Sequence, residues 1–295
     1  MSHRPTFYLT DVFGERRYSG NALATFIDAG HLPDGEMQGI ARELNLSETT
    51  FVLSRRPGEG GGYGVRIFTP AAEVDFAGHP TLGTAFIIRR HLIGRDVPAV
   101  TLDLKAGRVP VAFPEGEDGP LWMSQVPPVF GSVLPSGRLA GVLGLGPADI
   151  DLRWPVEEVS TGLPHIIVPL TNLDALRRVK IASAAYEALI RTTWAKSILV
   201  FCPEGRSAGE GIAVRVFPVC YGIPEDPATG SGNGCLAAFL VRNRVLGGTS
   251  LEVAAGQGHE MGRPSRLFLR ASERAGRYEV QVGGVVLPVA QGLWG

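Results

Sequence analysis

Two stretches of this chain read as copies of two others. Val65-Arg66-Ile67-Phe68 returns as Val214-Arg215-Val216-Phe217, and Ala85-Phe86-Ile87-Ile88-Arg89-Arg90 as Ala238-Phe239-Leu240-Val241-Arg242-Asn243. The displacements, 65 to 214 and 85 to 238, are about half of the 295 residues. Leu/Gly turns follow at Leu92–Gly94 and Leu246–Gly247, and the Gly-centred hairpin Ala106–Val109 pairs with Gly283–Val286. Two copies are too few for a solenoid. They predict duplication into two like domains, each wrapping a curved sheet around one central apolar helix. The Pro/Gly-rich stretch from Val126 to Gly137 is the expected crossover, which puts one domain at 1–126 and the other at 127–295, with the last strand able to cross back.

Local patterns fill in the elements. Thr6–Phe13 and Ala22–Ile27 read as strands. Met37, Ile40, Ala41 and Leu44 recur at helical spacing behind Pro33-Asp34-Gly35, and Asn45 can end that helix. Thr49–Leu53 and Val65–Thr69 are strand-like, which puts Glu48 at a helix-to-strand junction. Pro80 fits the first turn of a helix reaching Leu92. That helix is apolar on most sides, the mark of a buried one. Val100–Leu104 and Val109–Phe113 read as a hairpin.

Composition removes several function classes. Lys+Arg 28 against Asp+Glu 29 gives a net charge of -1, without the bulk basic field that non-specific nucleic-acid binding needs. A 44% hydrophobic share supplies a sizeable core. No apolar run approaches the ~18–20 residues that span a bilayer, and the N-terminus lacks the apolar core of a secretion signal. Cys202, Cys220 and Cys235 are odd in number and lack CxxC spacing, so neither a disulfide framework nor a zinc site is expected. A cytoplasmic protein without a metal is the expectation. The P-loop, HExxH and GxSxG motifs are absent, and neither Gly141–Gly146 nor Gly230–Gly234 fits a dinucleotide fingerprint.

The chemistry concentrates where the two central helices begin. Phe76-Ala77-Gly78-His79-Pro80-Thr81 leads into the first, and Glu225-Asp226-Pro227-Ala228-Thr229-Gly230-Ser231 into the second. A helix start offers unpaired N–H groups and partial positive charge, an anion site. Two of them facing each other across a domain cleft would hold a small carboxylated molecule. Ordinary capping by Thr or Ser is the competing reading. Glu48, in Asn45-Leu46-Ser47-Glu48-Thr49-Thr50-Phe51, sits among apolar and neutral neighbours, and desolvation would raise its carboxyl toward the general-base range. From the residues alone an exposed junction glutamate competes with that reading. His79 reads as a structural hydrogen-bonder, Asp226 as a turn residue, Glu73 and Asp75 as solvated, and His165 as a loop residue.

Six motifs in order carry a resemblance. They are Asp11-Val12-Phe13 with Tyr18-Ser19-Gly20-Asn21, Ala41 through Val52, Arg66-Ile67-Phe68-Thr69-Pro70, Phe76 through Gly83, Glu225 through Ser231, and Gln257-Gly258 with Met261-Gly262-Arg263-Pro264-Ser265. Along nearly its whole length the chain resembles the PhzF-like phenazine-biosynthesis family, within the diaminopimelate-epimerase-like fold. The resemblance implies an α+β fold of two pseudo-symmetric domains, each a curved mixed β-sheet around a central α-helix, with the site in the cleft. It implies a cofactor-independent isomerase that shifts a proton within a small carboxylated cyclic metabolite; the PhzF substrate is dihydro-3-hydroxyanthranilate. Glu48 would be the acid/base, with His79 and Asp226 flanking the substrate as further catalytic residues. Asn21, Ser47, Gly78, Thr229, Gly230 and Ser231 would bind it. In related racemases two cysteines occupy the helix starts. His79 and Asp226 stand there in this reading, which disfavours a two-thiol mechanism. A homodimer is also implied. The alternatives are a non-catalytic ligand-binding or interaction protein of the same fold, and an epimerase or lyase acting on another carboxylate.

Overall fold

Alternation along β2 (Asn21–Ile27) sorts the first half into layers. β1 (Thr6–Val12) precedes it, and α1 (Asp34–Leu44), β3 (Glu48–Val52), β4 (Tyr63–Phe68), β5 (Glu73–Val74) and α2 (Gly78–Ile87) follow. Successive strand side chains point to opposite faces. Ala24 and Phe26 of β2 join Phe51 of β3 and Phe68 of β4 in a cluster under Met37, Ile40 and Ala41 of α1. Burying each large side chain there contributes about 1.5–3 kcal/mol. The alternate residues face α2. Thr84 of α2 donates to Thr50 of β3, and Thr50 donates to Thr25 of β2. Two residues before Thr50, Glu48 shares its face; two residues before Leu23, Asn21 does the same. The sheet continues through β6 (Ala99–Leu104), β7 (Gly107–Ala112) and β8 (Leu121–Ser124).

The structure, a computed structural model, describes residues 4–116 and 119–295. Its contacts divide the chain into two compact units, Met1–Ser124 with Gly283–Gly295, and Gln125–Val282. The last strand, Val286–Leu293, therefore belongs to the first unit, where it pairs with β1. The second unit holds β9 (Val129–Leu134), α3 (Ser136–Val142), β10 (Val156–Ser160), β11 (Pro164–Pro169), α4 (Leu173–Arg178) and α5 (Ser183–Ile190). It continues with β12 (Ser197–Cys202), β13 (Ile212–Phe217), α6 (Gly230–Arg242), β14 (Ser250–Gln257) and β15 (Ser265–Arg274), then enters β16 (Arg277–Gly284).

Each unit is a mixed sheet around one buried helix, an α+β architecture. Starting from the last strand, the first unit pairs antiparallel to β1, antiparallel to β2, parallel to β3, antiparallel to β4, parallel to β6 and antiparallel to β7. Starting from β9, the second unit runs through β10, β11, β12, β13, β14 and β15 in the same order of senses. Register agrees as well. Thr49 faces Phe68 as Ile198 faces Phe217, and Tyr63 faces Leu102 as Ile212 faces Ala255. It follows that Glu48 matches Ser197, Arg66 matches Arg215, and Leu104 matches Gln257.

Several local expectations are corrected. The first central helix begins at Gly78, so Pro80 is its third residue. Proline is tolerated there because first-turn N–H groups lie ahead of the helical ladder. Beyond Ile87 the helix widens into a π-helical turn, Ile88–Ile93. The stretch after Val126 is not a bare crossover, since Val129–Leu134 forms β9 and pairs with β10. Gly283–Val286 is not a counterpart of the Ala106–Val109 hairpin; there the chain passes from the second unit back to the first. His165 is no loop residue. It lies in β11 with no exposed surface.

Candidate active site

In the first unit the start of β3 meets the start of α2. Glu48 Oε2 lies 3.4 Å from His79 Nε2, with side-chain exposures of 15% and 5%. Glu48 is thus not an exposed junction residue. The gap is long for a direct hydrogen bond. Burial pushes the His79 imidazole down to about 3. Burial thus favours the neutral imidazole. A neutral imidazole can donate one proton while its other nitrogen accepts. Asn21 is buried at the start of β2 on the face it shares with Leu23. Ser47 directly precedes Glu48 and is half-buried.

Neither N-cap residue, Ala77 of α2 nor Thr229 of α6, makes a side-chain cap bond. Capping therefore does not account for the residues at either start. The ladder of α2 opens with Thr81 N–H donating to Ala77 O, and that of α6 with Asn233 N–H donating to Thr229 O. Gly78, Gly230 and Ser231 occupy buried first-turn positions ahead of these bonds.

In the second unit Asp226 Oδ2 accepts from the Thr229 hydroxyl at 2.5 Å. Asp226 is buried and pairs backbone to backbone with Val216. In the first unit Val74 pairs with Ile67, the match of Val216. Counting forward to the helix starts, Val74 matches Asp226, Ala77 matches Thr229, and His79 matches Ser231. Asp226 therefore does not stand at the position of His79; it lies four residues before α6, in the loop.

The loop into each helix is anchored the same way. Arg66 donates two bonds to Glu73, at 2.8 and 2.9 Å, and Arg215 donates two to Glu225, at 2.9 and 2.8 Å. Each glutamate precedes its helix's first glycine by five positions. Glu73 is thus paired rather than solvated, while Asp75 is exposed beside Lys105. Arg215 further donates to the carbonyls of Leu176, Arg177 and Val179. These forks escaped the sequence reading, although the repeated Val-Arg-hydrophobic-Phe string marked both arginines.

His165 is also buried, its Nδ1 3.0 Å from Leu163 O, and burial pushes its imidazole down to about 4. The Cys235 thiol is buried in α6 and pushed up to about 11, which makes it inert as a base. Among the described residues no cluster of side chains could hold a metal ion.

Residues 10–292 match the family model described as phenazine biosynthesis-like protein, PhzC-PhzF. The chain is 36% identical over 286 residues to trans-2,3-dihydro-3-hydroxyanthranilate isomerase of Pseudomonas fluorescens, covering 95% of this chain and 96% of that one. A solved PhzF-family phenazine biosynthesis protein of Bacillus anthracis superposes with a TM-score of 0.89 at 28% identity, covering 99% of each chain. A hydroxyproline epimerase of Agrobacterium vitis superposes with a TM-score of 0.62 at 11% identity over 99% of this chain and 92% of that one, a likeness of fold.

Proposed function

The chain belongs to the phenazine biosynthesis-like family and is an isomerase, and from that premise we propose that it shifts a proton within trans-2,3-dihydro-3-hydroxyanthranilate or a close cyclic carboxylate. The observation that carries this reading is the Glu48–His79 pair, 3.4 Å apart and largely shielded from solvent, on the helix-facing side of β3.

In this mechanism Glu48 takes a proton from a ring carbon and returns it to another. The neutral His79 imidazole donates to, or relays a proton with, the polar groups of the ring. Asp226, held by Thr229, orients the substrate's polar substituents. In the first unit the first turn at Gly78–His79 supplies N–H donors for anionic oxygen, with Asn21 and Ser47 adding polar contacts beside Glu48; in the second unit the first turn at Gly230–Ser231 offers N–H donors of the same kind. General acid–base transfer contributes ~10²–10⁴-fold; the remainder comes from orientation and preorganised dipoles. Every step uses this chain's own side chains and backbone. The reading extends to a cytoplasmic homodimer. The three free cysteines support the compartment and the family resemblance supports the dimer.

The test is turnover of trans-2,3-dihydro-3-hydroxyanthranilate followed by NMR. Wild type converts it, and Glu48→Gln, equally folded by circular dichroism, does not. An active Glu48→Gln enzyme removes the mechanism.

A further inference from the structure

Gln257 closes β14 with no exposed surface, and its amide is fully used. Its Oε1 accepts from the Thr229 N–H at 3.2 Å and from Asn233 Nδ2 at 2.8 Å. Its Nε2 donates to Asp226 O at 2.7 Å and to Thr229 Oγ1 at 3.0 Å. The partners dictate the amide's orientation, because a backbone N–H can only donate and a carbonyl can only accept. All four bonds go to residues 226–233, the loop that carries Asp226 and the first turn of α6. The bond to Thr229 Oγ1 has a further effect. With that oxygen already accepting, the hydroxyl's own proton is directed to Asp226 Oδ2, 2.5 Å away.

The duplicated fold shows that none of this is needed to build the sheet or the helix. The first unit has Leu104, Val74 and Ala77 where the second has Gln257, Asp226 and Thr229. Three apolar residues have become three mutually hydrogen-bonded polar ones, with strand pairing and helix start unchanged. We infer that Gln257 is a positioning residue for the isomerisation: through the Thr229 hydroxyl it fixes the direction in which the Asp226 carboxylate points. The inference rests on the proposed role of Asp226. A buried network with every member satisfied is rigid, and removing one member is felt by the others.

The experiment is a double-mutant cycle on trans-2,3-dihydro-3-hydroxyanthranilate, paired with crystal structures of the variants. Gln257→Leu copies the first unit; Gln257→Met keeps the length and removes the donors. Each is expected to lower kcat/KM by roughly 10–100-fold in the wild-type background, and by less than about twofold when Asp226 is already Val. The crystal structure of Gln257→Leu should show the Asp226 carboxylate turned away from Thr229. If Gln257→Leu does not fold, Gln257→Met carries the same test. An unchanged Asp226–Thr229 bond in either variant overturns the inference, whatever the substrate. So does an equal loss in both backgrounds. A displaced Asp226 with undiminished turnover would instead remove the catalytic role of Asp226 and leave the positioning geometry standing.

Discussion

Glu48 and His79 approach to 3.4 Å where β3 and α2 begin, and the second unit does not repeat them. Ser197 and Ser231 stand in the matching positions. Serine hydroxyls are not bases at neutral pH, so the proposed acid/base pair lies within the first unit, whereas a two-base racemase has one base at each of its two helix starts. The second unit carries Asp226, Thr229 and Gln257 instead, on positions that are apolar in the first. Removing Glu48 should therefore leave no substitute. Glu48→Gln is expected to lower kcat by ~10²-fold or more while the thermal midpoint stays near that of wild type. A residual rate above one tenth of wild type would mean that another group moves the proton.

Acid sensitivity follows from the buried imidazoles. His79 is pushed down to about 3 and His165 to about 4, whereas both bind a proton near 6.5 when unfolded. Between those values the unfolded chain holds more protons, so stability rises with pH through the window and is complete above about 6.5. Thermal midpoints should fall as pH drops from 6.5 toward 4, and His165→Gln should flatten part of that slope. A midpoint independent of pH across this range would show that the imidazoles are not held neutral.

The two arginine forks should differ in strength. Arg215 and Glu225 have side-chain exposures of 8% and 15%, against 24% and 26% for Arg66 and Glu73. Leaving a buried guanidinium without its partner costs about 3–5 kcal/mol, and less where water reaches it. Arg215 keeps the three carbonyls and Glu260 at 3.8 Å, and Arg66 keeps Asp34 at 2.6 Å, so Glu225→Ala is expected to lose up to ~3 kcal/mol in urea unfolding, and Glu73→Ala clearly less. The reverse order would contradict the burial argument.

Helix α2 lies close against its sheet at Gly83. A Cβ added there would stand 2.5 Å from Leu23 Cδ2 and 2.9 Å from Val12 Cγ2. Gly83→Ala is expected to destabilise by ~1–3 kcal/mol through overpacking, readable as a lower urea midpoint with an unchanged slope. A neutral substitution would mean that the helix can back away from the sheet.

Much of this architecture is legible in the sequence because the repeated strings are core strings. Val65–Phe68 and Val214–Phe217 pack the same way in both units, so selection for the same fold keeps them alike. The sites of failure have physical reasons. β9 is hidden because prolines stand on both sides of it, Gly131 lies inside it, and exposed Val129 and Val133 spoil the polar–apolar alternation. His165 reads as loop because Pro164 precedes it, yet proline also opens strands. The position of Asp226 relative to His79 is set by strand register, which composition does not reveal. The Arg215–Glu225 fork and the Gln257 network pair residues 10 and 31 positions apart. Such contacts are created by the fold; the repeated Val-Arg-hydrophobic-Phe string marks Arg215 and the Gln257-Gly258 motif marks Gln257, but neither gives the partner.

The most direct test of the central claim is incubation of the enzyme with trans-2,3-dihydro-3-hydroxyanthranilate in D₂O, with NMR and mass spectrometry of the product. Proton transfer by Glu48 predicts substrate loss with deuterium at the newly protonated carbon, and neither in Glu48→Gln. Substrate loss with deuterium uptake that persists in Glu48→Gln, or no conversion of this or any related cyclic carboxylate by the wild-type enzyme, would contradict it.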